Sequence, residues 1–247
     1  MIDYHCHLLP GLDDGARSLD DSLAMARGLL EGGFTDVYCT PHCMRGCYDH
    51  TSRQVRAAVG DLQAELTRAG LPLQVHPGME YYLDEYFLPC LDDALPLGET
   101  RLLLVEAPSQ IAPEFFLEQI FGLIRKGYVP LVAHPERVSW LAEGFARQEK
   151  YHGAFRRLFS RSPSPPGSTP PAPHLQALKN LGCFFQGNLG AFSGYYGRQV
   201  RESATKLLAA GVYHYFGSDA HRPETLPKIL EGLQYVNDGK GRGRGGF

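Results

Sequence analysis

The chain is 247 residues long, 43% hydrophobic and 21% charged, with a formal net charge of −3. That balance fits a globular domain and excludes a disordered polyelectrolyte, and the slight acidity gives no electrostatic basis for binding nucleic acid or an anionic membrane surface. No apolar run reaches membrane-spanning length, no basic-then-apolar leader pattern opens the chain, and the six cysteines form no C-x-x-C pair, so a soluble cytoplasmic protein with free thiols is expected.

The opening "IDYHCH" reads as a strand in which residues i and i+2 share a face, so His5 and His7 project together and Cys6 points away. "SLDDSLAMARGLLEGG" reads as a helix capped by Ser18, with Leu19, Leu23, Ala26 and Leu30 as its apolar stripe and Gly32-Gly33 as its stop. "FTDVYCT" is strand-like, and "SRQVRAAVGDLQAELTRAG" is helical with Val55, Val59, Leu62 and Leu66 on one face. Strand patterns recur in "LPLQVHPGME", "RLLLVEA", "YVPLVAH", "GCFFQGN" and "VYHYFGSDAH". Helical stretches such as "PEFFLEQIFGLIRKG" and "GRQVRESATKLLAAG" separate most of them. About seven β-α units imply a parallel sheet with helices outside it, in an α/β fold. Because no Gly-rich nucleotide loop follows the first strand, a closed barrel is favoured over an open doubly wound sheet. Residues 1–238 are read as one domain. "SRSPSPPGSTPPAP" (160–173) is an inserted Pro/Ser-rich loop, and 239–247 are a frayed, disordered tail.

On that map the chemistry collects at one end. His5 and His7 close the first strand, His42 follows the second in "CTPH", and Glu80 follows the third in "PGMEYY". Glu106 closes the fourth strand, His134 ends the fifth, and Asp219 and His221 end the last in "GSDAH". Each histidine alone is more often a surface or satisfied core residue. Side chains at the C-terminal ends of parallel barrel strands converge on one mouth, however, so together they indicate a metal site. Imidazole and carboxylate donors without thiolate suit Mn, Fe or Zn better than Ca or Mg. There are more candidates than one ion can use, so two or three ions are expected, with Glu80 able to bridge.

"MIDYHCHLLPGLDDGA", "TPH", "PGMEYY", "AHPERV", "GNLGAFSG" and "SDAH" resemble the polymerase-and-histidinol-phosphatase (PHP) superfamily. The likeness spans nearly the whole chain. It is strongest to the superfamily's bacterial protein-tyrosine phosphatases, which act with capsule and exopolysaccharide tyrosine kinases. The resemblance implies a distorted, TIM-like barrel of seven strands, with a trinuclear and usually manganese-dependent site. It assigns His5, His7, Glu80 and Asp219 to one ion, Glu80, Glu106 and His134 to a second, and Asp14, His42 and His221 to a third. Asp14 is preferred to Asp13 by the resemblance alone, since aspartates in "LDDG" are ordinary turn residues. Arg137 in "HPER" resembles the family's phosphate-binding arginine. Leu226 stands near where the family has a second one, leaving Arg222 or Arg198 as substitutes. The general acid is His42 or a metal-bound water.

The activity implied is metal-dependent phosphomonoester hydrolysis on a phosphotyrosine protein, in particular a flexible tyrosine-kinase tail. A histidinol-phosphatase-like enzyme of small molecules, an amidohydrolase and a non-catalytic kinase-binding module are the rivals. Where amidohydrolases carry a lysine, the fourth strand here ends in Glu106. Tyr48, Tyr81, Tyr82, Tyr195 and Tyr196 fall on segments expected to rim the mouth and are candidates to pack a phosphotyrosine ring. Two C-x₅-R spacings, Cys39 with Arg45 and Cys47 with Arg53, mimic cysteine-dependent phosphatases. That mechanism needs a loop whose amides all face the phosphate, but neither loop contains a glycine, Pro41 removes one amide from the first, and His42 there is claimed by the metal site.

Overall fold

The computed structural model describes residues 1–108, 110–142 and 173–239. The expected insertion and tail lie outside these residues, except that Pro173 opens a helix and Gly239 closes one. The strands are β1 (Ile2–Cys6), β2 (Asp36–Cys39), β3 (His42–Cys43), β4 (Gln74–Pro77), β5 (Glu80–Tyr82), β6 (Leu102–Glu106), β7 (Val129–Ala133), β8 (Phe184–Asn188) and β9 (Tyr215–Gly217). The main helices are α1 (Leu19–Glu31), α2 (Ser52–Arg68), α3 (Phe87–Cys90), α4 (Pro113–Arg125), α5 (Pro173–Asn180), α6 (Leu189–Ser193), α7 (Arg198–Ala209), α8 (Leu226–Leu230) and α9 (Leu233–Gly239). No described helix is long and apolar enough to cross a membrane.

These strands form the expected seven staves, all parallel. Two staves are broken in the middle: β2 and β3 are parted by Thr40-Pro41, and β4 and β5 by Gly78-Met79. Pro41 has no N–H for a ladder, which accounts for the first break. Registers Asp36↔Gln74 and His42↔Glu80 keep the same offset across the breaks, so each pair of short strands continues one line. From there the order runs β5-β6-β7-β8-β9. The ring closes between β9 and β1 through the parallel bridge Cys6↔Ala220, with Asp219 N donating to His5 O at 2.7 Å and His7 N to Ala220 O at 3.0 Å. Gly217 permits this closure, because a Cβ there would sit 2.6 Å from the Cβ of His5.

The helices pack outside. α2 buries Val55, Val59, Leu62 and Leu66, as its periodicity predicts. α1 is capped by Ser18 as expected, but its deepest residues are Ser22, Met25, Ala26 and Leu29, with Leu19, Leu23 and Leu30 only half-buried. The helix is turned by the Ser22 hydroxyl, which donates to Leu8 O at 2.7 Å and ties α1 to the segment after β1. Leu102, Leu104 and Glu106 share the inner face of β6, as Phe184, Gln186 and Asn188 share that of β8. The barrel is therefore filled low down by Leu104, Leu131, Tyr4, Tyr38, Phe184 and Tyr215, and its upper layers are polar.

Candidate metal centre

The first ligand stave owes its aim to a bulge. Between Asp3 and Cys6 the register to β2 slips, so Tyr4 and His5 together oppose Tyr38. Tyr4 then stacks on Tyr38 inside the barrel at 5.4 Å, while His5, its immediate neighbour, also reaches the interior. Asp3 Oδ1 accepts the His5 amide at 3.1 Å and the Ser218 amide at 2.9 Å, holding the bulge to β9. His7 emerges one turn higher, and the Nε2 atoms of His5 and His7 come within 3.2 Å of each other. Cys6 turns the other way, into the core under the helices.

Three imidazoles have their tautomers set by fixed acceptors. Gln186 Oε1 accepts the His134 amide, so it also accepts from His5 Nδ1 at 3.1 Å. His7 Nδ1 donates to Asp13 Oδ2 at 2.6 Å, and His221 Nδ1 to Asp219 O at 3.0 Å. In each case the Nε2 lone pair is left for the cavity, which is how metal-binding histidines are oriented. Two such lone pairs 3.2 Å apart repel unless a cation lies between them. Glu80 Oε2 stands 3.1 Å from His5 Nε2 and 3.3 Å from His7 Nε2, and Asp219 Oδ1 is 3.3 Å from both. Without a metal, protons carry that charge. Burial opposes ionisation of His5, but Glu80 and Asp219 outweigh it and push its pKa up to about 9. Glu80 and Asp219 are held well below the carboxylate range: burial alone would raise them, and the histidines overcome it.

The remaining donors surround this pair. His42 Nδ1 lies 3.1 Å from Glu80 Oε2, and His42 Nε2 lies 3.5 Å from Asp14 Oδ1, which is also 3.4 Å from His221 Nε2. His134 Nε2 faces Glu80 Oε1 at 3.1 Å and Glu106 Oε1 at 3.7 Å. Burial, reinforced by Glu80, raises the Glu106 pKa to about 7. Three overlapping groups have donor atoms within 4.8 Å of one another: His7, Asp14, His42 and His221; His5, His7, Glu80 and Asp219; and His42, Glu80 and Glu106. The donor set fits divalent cations, and so do the buried His42 Nδ1 and Glu80 Oε2, which lie 3.1 Å apart without a well-aligned hydrogen bond. His134 and Asp219 sit at positive φ, 32° and 51°, and strain of that kind in non-glycine residues is concentrated at functional sites.

The centre floors a cavity of about 420 Å³ walled by Met44, Cys47 and Tyr48 on one side and Arg137 on another. Tyr48 stacks on His42 with ring centroids 5.7 Å apart. Arg137 Nη1 donates to Asp219 Oδ2 at 2.9 Å. Arg222 does not line this cavity; its guanidinium is drawn onto the carbonyl oxygens of Gly15 and His221. Arg198 lies on the outer surface, paired with Glu202 at 2.7 Å. Neither supplies the second arginine at this cavity.

Tyr81 is a correction to the expected rim: it is buried, donating to Met79 Sδ at 3.3 Å and accepting from Leu95 N at 2.7 Å. Tyr82 and Tyr195 do not line the cavity either. Cys39 is buried in the core with its thiol pKa pushed up by burial, and Arg45 lies over the Tyr86 ring, so that C-x₅-R spacing builds no phosphate loop. Two residues at the centre, Gln186 and Asn188, escaped sequence reasoning, and a third, Asp13, was weighed there only as an alternative to Asp14. Asp13 orients His7, Gln186 orients His5, and Asn188 Nδ2 donates to Asp219 Oδ2 at 2.7 Å. Gln186 and Asn188 occupy inward positions next to Phe184 on β8, which was the available signal.

The sequence pattern of the family described as "Capsular polysaccharide synthesis, CpsB/CapC" matches residues 1–153 and 171–244. The chain is 31% identical over 238 residues to the tyrosine-protein phosphatase YwqE of Bacillus subtilis (strain 168), covering 96% of this chain and 83% of that protein. A solved structure from work on YwqE of Bacillus subtilis and CpsB of Streptococcus pneumoniae, described as metal-dependent tyrosine phosphatases, superposes with a TM-score of 0.75. It is 30% identical, over 96% of this chain and 86% of that one. The histidinol phosphate phosphatase of Lactococcus lactis, solved with zinc, L-histidinol and phosphate, shares the fold with a TM-score of 0.57. That match is 13% identical over 96% of this chain and 93% of that one. A seven-stave α/β barrel with a mouth of imidazoles and carboxylates, matched along nearly its whole length, belongs to the CpsB/CapC family.

Proposed function

We propose that this chain is a metal-dependent protein-tyrosine phosphatase of capsule or exopolysaccharide synthesis, acting in the cytoplasm on the phosphorylated tail of a tyrosine kinase. The observation that carries it is the convergence of oriented histidine lone pairs and carboxylates beside Arg137 at one cavity. His5, His7, Glu80 and Asp219 would hold one ion, Glu80, Glu106 and His134 a second, and Asp14, His42 and His221 a third, with manganese the expected metal. Bound divalent ions supply the Lewis acidity that activates water at neutral pH and neutralises phosphate charge.

The protein's own groups do the rest. Arg137 presents a guanidinium fork to the phosphate oxygens, stabilising the charge that develops on them. Met44 and Tyr48 offer an apolar wall on which a phenyl ring can lie. A phenolate leaving group, with a pKa of about 10, needs less protonation than an alkoxide. The six unpaired cysteines support a reducing compartment.

The test compares kcat/KM for matched phosphotyrosine and phosphoserine peptides and histidinol phosphate, with manganese added and after chelation. Phosphotyrosine should be preferred, and chelation should abolish turnover. Preference for histidinol phosphate would overturn the substrate assignment, and full activity after chelation would overturn the metal mechanism.

A further inference from the structure

We propose that Tyr196 is a positioning residue of this centre, its ring holding the Arg137 guanidinium at the cavity and its hydroxyl fixing the outer oxygen of Asp219. The inference rests on the phosphatase reading above and adds a residue to it. Arg137 Cζ lies 4.9 Å from the Tyr196 ring centroid, so the cation sits on the ring face. Tyr196 Oη donates to Asp219 Oδ2 at 3.2 Å. That oxygen also accepts from Arg137 Nη1 at 2.9 Å and Asn188 Nδ2 at 2.7 Å. With Oδ2 so engaged, Oδ1 is the oxygen left facing His5 and His7, each 3.3 Å away.

The surroundings fix the tyrosine in turn. Asn188 Oδ1 accepts from Gly190 N at 2.9 Å, which turns the Asn188 amide nitrogen toward Asp219 and, at 3.1 Å, toward Tyr196 Oη. Gly190 leaves the ring its space, since a Cβ there would stand 2.9 Å from Tyr196 Cε2. Arg137 needs such a support. It ends a short 3-10 turn (Pro135–Arg137), and among the described residues its long side chain has one ion-pair partner, Asp219. The ring confines the guanidinium to one side of that pair and leaves its other N–H donors for a phosphate in the cavity that Arg137 lines.

The experiment is a double-mutant cycle on the full-length, manganese-loaded protein, with Tyr196→Leu, Arg137→Ala and both together. Inorganic phosphate affinity is measured by calorimetry and bound manganese by mass spectrometry, alongside p-nitrophenyl phosphate hydrolysis. If the ring acts through Arg137, Tyr196→Leu should weaken phosphate binding about tenfold in the wild-type background and less than about twofold in Arg137→Ala. Tyr196→Phe keeps the ring and loses the hydroxyl. It should hold phosphate affinity within about twofold while weakening manganese binding about tenfold, as loss of an outer partner of a ligand does. Equal losses of phosphate affinity in both backgrounds, or no loss in either, would overturn the positioning role, and so would a Phe variant that behaves like Leu. Should Tyr196→Leu not fold, Tyr196→Met takes its place in the cycle. A wild-type protein that binds phosphate but hydrolyses no aryl phosphate would overturn the phosphatase reading and leave the cycle to judge Tyr196 separately.

Discussion

Asp13 is the residue on which the orientation of the centre most visibly depends. Its carboxylate accepts three N–H groups: His7 Nδ1 at 2.6 Å and His42 N at 2.9 Å on Oδ2, and Gly15 N at 2.8 Å on Oδ1. Burial works against its ionisation, but His7 and the two amides hold its pKa well below the usual range. In Asp13→Asn one of the two oxygens becomes an NH₂ that must face a donor, whichever way the amide is turned. The Gly15 side is the less costly choice, which leaves one neutral oxygen for His7 and His42. A hydrogen bond to a charged group contributes about 1.5–3 kcal/mol and one between neutral groups about 1, so the change costs His7 roughly 1 kcal/mol of orientation. The unmatched donor adds about 1–3 kcal/mol of lost stability. At the metal, loss of such an outer partner corresponds to about a 10- to 100-fold weaker affinity, or about 1.4–2.8 kcal/mol. Titrating manganese into chelator-stripped protein and following hydrolysis should show the activation curve displaced by that factor, with much of kcat recovered at saturation. An activation curve superimposable on wild type would refute the claim that Asp13 orients a metal-binding histidine.

Arg137→Ala should raise the barrier by about 2–4 kcal/mol if the guanidinium meets the transferring phosphate, and wild-type kcat/KM would reduce it to a surface residue. Its melting temperature should stay close to wild type, because Asp219 keeps donors from Asn188 and Tyr196. Asp3 is buried with Oδ2 unpartnered, and burial lifts its pKa from 3.8 to about 6. Its folded carboxylate therefore weakens the protein as pH rises through that window, by about 3 kcal/mol at most above pH 6 and not at all below about pH 4. In chelated protein, the melting temperature of Asp3→Asn relative to wild type should be higher at pH 8 than at pH 5, and a pH-independent difference would count against the assignment. A Cys39→Ser, Cys47→Ser double variant should retain activity; inactivity with manganese still bound would revive a thiol nucleophile.

The barrel was legible in local pattern. Strand and helix periods alternate along the chain, and period two puts Leu102, Leu104 and Glu106 on one face whatever surrounds them. Parallel staves all end at the same rim, so residues at their C-terminal ends had to meet. That is why His5, His7, His42, Glu80, Glu106, His134, Asp219 and His221 are gathered at one cavity. What local pattern cannot carry is the direction of a side chain set by contacts distant in sequence. Asp13 and Asp14 are adjacent and chemically alike, yet the loop turns Asp13 under His7 and Asp14 toward His42 and His221. Tyr81 and Tyr196 looked equivalent as rim aromatics. Pairing of β5 with β6 sends Tyr81 into the core, while the backbone space at Gly190 admits Tyr196 beneath Arg137. Arg222 is next to a candidate ligand in sequence and is taken by the Gly15 carbonyl. Periodicity along the chain decides which residues reach the mouth, and only packing between elements far apart in sequence decides where each of them points, because the donors and acceptors that fix a side chain come from other staves.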